Sequence, residues 1–215
     1  MYDRKSTDKD DVGLDRVDHF VRSSTLFYVV MACVGGTICY FHHGSLSQIF
    51  GFPPELDKSL NLLGLGVLGA GVLLIASYLF EEQFSSYRVF RHILMRMVGS
   101  ASVPMAIYLA LISAVGEELL FRAAVQPILG LVGSALLFGL LHLGPQGVIS
   151  IWTFWAVLSG LMLGWLFQDT GSLWPSLICH FLVNAVSMLR LRVQYKRYLA
   201  DLAENKTGKK LLSDH

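Results

Sequence analysis

The heptapeptide GEELLFR, residues 116–122, sets two adjacent carboxylates and a guanidinium inside an otherwise apolar stretch. Between Met97 and Leu189 only four residues are formally charged, Glu117, Glu118, Arg122 and Asp169, and three of them fall within six consecutive positions. An ionised side chain at mid-bilayer costs about 2.5–3.5 kcal/mol on insertion scales, so such groups face a bundle interior and find partners. Glu118 and Arg122 stand four apart, the spacing of an ion pair on one helical face. Glu117 is left without an obvious partner. Two histidines and an amide share the region: His142 closes LLFGLLH, and His180 opens HFLVN with Asn184 four residues on, on the same helical face.

This set has a chemistry. A carboxylate beside an imidazole can take a proton from water, and imidazole and carboxamide donors can stabilise the oxyanion formed as a peptide carbonyl is attacked. Glu117, His142 and His180 also suit a divalent metal such as zinc with water in an open position, and residue types alone do not separate the two versions. Other protease chemistries fit less well: the chain has no HExxH and no pair of intramembrane aspartates. Cys179 is next to His180, but neighbours on a helix point about 100° apart.

Positioning these groups falls to membrane helices. Of the 215 residues 53% are hydrophobic and 15% charged, with a mean hydropathy of +0.53, far from soluble globular usage. Apolar runs that can cross about 30 Å of hydrocarbon lie near Ser24 to Phe41, Ser59 to Phe80, Ala101 to Leu129, Val148 to Phe167 and Leu173 to Leu189, with a shorter one from Leu131 to Leu143. The expectation is an all-α polytopic bundle of about six transmembrane helices around a mid-membrane polar cavity. Residues 1–23 form an N-terminal segment, 24–190 the membrane domain with its core at 101–190, and 191–215 a tail that extends the last helix before fraying. The N-terminal segment leads into no small-residue cleavage site, so the first helix is expected to stay as an anchor.

Gly130, after Pro127, is the expected turn between the third helix and the short one. Glu117 lies thirteen residues before it and His142 twelve after, so in an antiparallel hairpin both sit about 18–20 Å from one membrane face. His180 enters from that same side at a shallower depth. The Gly144–Gly147 stretch is a poor helical continuation, and non-helical backbone at membrane depth survives only beside protein or water. A wet cavity beside His142 follows.

Arg88, Arg91 and Arg96 crowd the 81–100 loop, and Arg190, Arg192, Lys196 and Arg197 follow the last helix. Positive residues favour the cytoplasmic side, which puts both termini and that loop inside. No basic patch indicates nucleic acid. The GxGxxG at Gly64, Gly66 and Gly69 lies within a continuous apolar run, where small residues serve close helix approach. Cys33, Cys39 and Cys179 have no metal-ligand spacing and are expected to pack.

EELLFR at 117–122 fits EExxxR, FGLLH at 138–142 fits FxxxH, and HFLVN at 180–184 fits HxxxN. The ordered trio resembles the CAAX protease and bacteriocin-processing family of intramembrane endopeptidases, over roughly residues 101–190. The resemblance implies that Glu117 and His142 activate the hydrolytic water, that His180 and Asn184 form the oxyanion site, and that Glu118 and Arg122 support them. It leaves the metal open. Ala123 stands where many members have glycine, and six helices are fewer than the eight of eukaryotic-type enzymes. The substrate expected is therefore a membrane-associated protein or peptide cut by a bacterial or archaeal enzyme in its cell membrane. A proton-coupled transporter would also hold Glu, Arg and His mid-membrane, yet internal repeats are not visible. A non-catalytic partner of immunity or scaffold type is the remaining alternative.

Overall fold

The computed structural model describes residues 4–45, 47–51, 53–142 and 150–213, and the side chains of 17–42, 44–45, 47–51, 53–142 and 150–204. All of the regular structure in these residues is helical: α1 (Arg4–His43), α2 (Ser47–Phe50), α3 (Leu56–Gln83), α4 (Ser85–Val98), α5 (Val103–Glu118), a π-helical segment (Leu119–Val125), α6 (Gln126–Leu141), α7 (Ile151–Thr170) and α8 (Leu173–Ser213). The Gly144–Gly147 stretch lies outside the described residues.

Local chemistry sets the helix ends. Ser102 caps α5 by accepting the Met105 N–H at 3.3 Å, with a proline in the first turn. Ser150 caps α7 by accepting from Thr153 N–H at 3.2 Å. Such caps satisfy N–H groups the helix leaves unpaired. Gly171 ends α7 with φ of 64°, a left-handed conformation that costs glycine nothing.

Among the described residues five segments are long and apolar enough to span a bilayer, Val17–His42, Leu56–Gln83, Val103–Leu141, Ile151–Thr170 and Leu173–Glu204. The protein is an integral membrane protein. The third segment is folded at Gly130, whose φ of 70° and ψ of 176° break α6 into two arms. The arm 131–141 doubles back along the π segment: Ser134 Oγ donates to the Phe121 carbonyl at 3.0 Å, and the Phe121 and Phe138 rings meet edge to face at 4.9 Å. Counted as arms, the bundle has the six expected apolar helices.

The 81–100 stretch differs from the loop expected there. Most of it is α4, which buries Tyr87, Phe90 and Met95 and keeps Arg88 exposed. Its arginines break the apolar run, but its apolar residues recur at helical spacing and find a surface on α3, α7 and α8. At the N-terminus, α1 runs unbroken through position 23. The helical extension of the tail is present, with α8 continuing to Ser213.

Packing fixes the register. Ala70, Leu73, Tyr87, Trp155, Leu163, Leu166 and Cys179 join α3, α4, α7 and α8 in one cluster. A Cβ on Gly66 would come within 2.8 Å of the Pro175 carbonyl oxygen, and one on Gly69 within 3.0 Å of Leu166, so two of the GxGxxG glycines serve close contact between helices. Cys39 and Cys179 are buried as expected, whereas Cys33 is exposed, on a face it shares with Val29 and Val30. α1 presses on α5 and the π segment: a Cβ on Gly35 would lie 2.6 Å from the Leu119 carbonyl carbon, and one on Gly116 2.8 Å from the Tyr28 carbonyl oxygen.

Candidate active site

The π segment begins directly after Glu118. Gln126 N–H donates to the Phe121 carbonyl five residues back, and the Ser134 hydroxyl takes the same oxygen, so the widened turn is held from the returning arm. Such turns recur at functional sites because they re-aim side chains that a regular helix would space evenly.

Glu118 and Arg122 have no exposure to solvent, and their ion pair is formed, with Arg122 Nε 3.2 Å from Glu118 Oε2. The guanidinium also sits over the Phe138 ring, 4.9 Å from its centroid, a contact that favours a cation in a dry site. The second Glu118 oxygen faces His180 Nδ1 at 2.8 Å, with the Ser176 hydroxyl nearby. Glu118 thus anchors two cation-capable partners on two helices.

Glu117 is not alone. Its Oε2 lies 3.6 Å from His142 Nε2 and 3.7 Å from His180 Nε2. The arms that meet at Gly130 therefore bring Glu117 and His142 level, as the residue count predicts. His142 Nδ1 is 2.7 Å from the Phe138 carbonyl oxygen. A carbonyl only accepts, so Nδ1 carries a hydrogen, and in the neutral ring Nε2 presents its lone pair toward Glu117. His180 uses its Nδ1–H on Glu118 and turns Nε2 to Glu117.

Asn184, one turn beyond His180, donates through Nδ2 to Ser113 Oγ at 3.0 Å, and Ser113 donates to the Ala110 carbonyl at 3.1 Å. An amide nitrogen has two hydrogens. One orients Asn184 and the other is available to the cavity.

A cavity of about 300 Å³ joins these groups, with Glu117, His142, His180 and Asn184 in its wall. It runs between α1, α3, α4, α5, α7 and α8 toward Arg91 and Arg190, the end of the bundle where the basic residues of α4 and α8 gather. A cavity is present beside His142 as expected, with polar groups at its two ends and a largely apolar wall between them.

Tyr28 of α1 was not foreseen. Its hydroxyl hydrogen-bonds to the Glu117 carboxylate, and it lines the same cavity. A faint signal was legible: Tyr28 and Gly35 are seven residues apart, two helical turns on one face, and a glycine there marks a close approach. Ser113 and Ser176, the small hydroxyls beside Asn184 and Glu118, carried no signal of their own in the sequence.

Glu117, His142 and His180 were the candidate metal ligands. A single Glu117 oxygen faces both histidines, and no three His, Cys, Asp or Glu side chains among the described residues are grouped to hold a metal ion. The steps proposed for this site use side chains and water alone.

Fold and site together define a helical integral membrane protein with a buried carboxylate and imidazole centre. Residues 99–186, which carry all three motifs, match the type II CAAX prenyl endopeptidase Rce1-like family. Uncharacterized protein YpbD of Bacillus subtilis (strain 168) is 27% identical over 143 residues, covering 65% of this chain and 74% of its own length. No solved structure matches the chain.

Proposed function

We propose that the protein is an intramembrane endopeptidase that hydrolyses a peptide bond of a membrane-associated protein or peptide with a water activated by Glu117 and His142. The observation that carries this reading is the 3.6 Å approach of Glu117 Oε2 to His142 Nε2 at a cavity wall. A water seated against both atoms donates one hydrogen to the carboxylate and the other to the imidazole lone pair. Its oxygen then faces the cavity. Glu117 takes the proton as the oxygen attacks the carbonyl, and the same proton passes to the leaving amine as the C–N bond breaks.

Negative charge builds on the carbonyl oxygen during attack. The free Asn184 N–H and the His180 Nε2–H of a doubly protonated ring are the donors on hand. Such a ring keeps Nδ1–H on Glu118. With both carboxylates ionised and Arg122 charged, the four groups then sum to zero, which suits a site removed from water. Tyr28 orients the Glu117 carboxylate, and Glu118 with Arg122 orients His180.

The reading takes the membrane to be that of a prokaryotic cell, and the positive-inside rule supports having the Arg91 and Arg190 end of the cavity, and both termini, on its cytoplasmic side. The test is purification in detergent and incubation with a broad panel of membrane-tethered peptides, comparing wild type with Glu117→Gln and His142→Ala. Cleavage by wild type that falls at least about 100-fold in each variant supports the reading. Identical product patterns in all three end it. A scaffold would keep its partner binding after Glu117→Gln, and an enzyme would lose turnover while staying folded.

A further inference from the structure

The far end of the cavity carries a second polar cluster. The Arg91 guanidinium contacts Glu81, and Arg190 Nη2 lies 3.2 Å from the same carboxylate oxygen. The Arg91 side chain is only 12% exposed, and its Nη2 is buried without a hydrogen-bond partner. The neighbouring charges are engaged elsewhere: Arg88 donates to the backbone carbonyls of Glu81 and Glu82, and Glu82 bonds the Tyr78 hydroxyl. Arg190 also stacks over Tyr78 at 5.7 Å. Two guanidiniums facing the cavity thus share one carboxylate. Burial and the nearby Arg190 pull Arg91 down to about 10, which still leaves it charged at neutral pH.

An unsatisfied buried donor costs free energy that a planar carboxylate recovers by binding the guanidinium fork. Both arginines line the cavity that holds Glu117. Along α8, Arg190 is ten residues from His180, about 15 Å at helical rise. An extended peptide covers that span in about four residues. The wall between the two ends is apolar, with Leu73, Phe90, Trp155 and Val183.

We infer that Arg91 and Arg190 form a carboxylate subsite for the substrate, holding an anionic group about four residues from the peptide bond presented to Glu117. The carboxylate is either a chain terminus or an acidic side chain. This deepens the endopeptidase reading and rests on it.

The test uses the full-length protein in detergent and apolar peptides made in three forms: a free C-terminal acid, a C-terminal amide, and an amide with one glutamate near its end. Binding is read by quenching of cavity tryptophan fluorescence in the Glu117→Gln variant, and cleavage by wild type is followed in parallel. The acid-bearing forms are expected to bind at least about tenfold tighter than the plain amide, and Arg91→Gln to abolish that preference without weakening the amide. Arg190→Gln, at a more exposed position, serves if Arg91→Gln fails to fold. A preference for the free acid alone assigns a chain terminus, and equal preference for both acids assigns any carboxylate. Equal binding of acid and amide overturns the subsite even if wild type cleaves both. Selective acid binding without cleavage by wild type leaves the subsite and removes the peptidase.

Discussion

His180 Nδ1 lies 2.8 Å from Glu118 Oε1, so the carboxylate that neutralises Arg122 also fixes the ring that faces Glu117. One residue joins the structural ion pair to the proposed reacting centre. Replacing Glu118 with Ala leaves the fully buried Arg122 without its counter-ion, a change that typically costs about 3–5 kcal/mol. Thermal unfolding in detergent should show a large drop in Tm for Glu118→Ala. Glu118→Leu combined with Arg122→Met should recover most of it, yet the double variant should stay inactive because His180 has lost its orienting partner. Recovery of both stability and activity would contradict the assignment.

Asn184 separates folding from catalysis. It is half-buried, and Ser113 holds it by a single hydrogen bond, so Asn184→Ala should leave Tm nearly unchanged. Loss of an oxyanion donor lowers kcat by about 100- to 1000-fold. Steady-state kinetics should show that fall with KM little altered. A rise in KM at constant kcat would instead make Asn184 a ground-state binding residue.

Tyr28 extends the site to α1. Tyr28→Phe removes the hydrogen bond to Glu117 and keeps the ring, and a hydrogen bond to a charged group is worth about 1.5–3 kcal/mol. The expected result is a kcat loss of about 10- to 150-fold at constant KM, with a modest fall in Tm. Gly35→Ala should act differently, because its added methyl meets the backbone of the π segment. Overpacking of this kind costs about 1–3 kcal/mol, so Tm and activity should fall together.

Much of this site was legible before the fold was known, because charge is rare in a membrane span. Glu117, Glu118 and Arg122 stand out where nearly every neighbour is apolar, and Gly130 gave the turn that sets Glu117 level with His142. What stayed hidden depends on contacts between helices distant in sequence. Tyr28 reads as an ordinary tyrosine in an apolar helix until Gly35 and Gly116 are seen to press α1 onto α5. The π segment has no compositional signature, since Leu119 to Val125 would serve equally well in a regular helix. The amphipathic α4 looked like a loop because its arginines interrupt an apolar run, although its buried residues follow a helical period.

The central claim is that Glu117 and His142 act on one water molecule. A double-mutant cycle on cleavage rate, with wild type, Glu117→Gln, His142→Ala and the pair combined, tests it most directly. Groups that act as a unit lose their joint effect once, so the combined variant should be no slower than the slower single one. Full multiplication of the two losses, or wild-type turnover by Glu117→Gln, would contradict it.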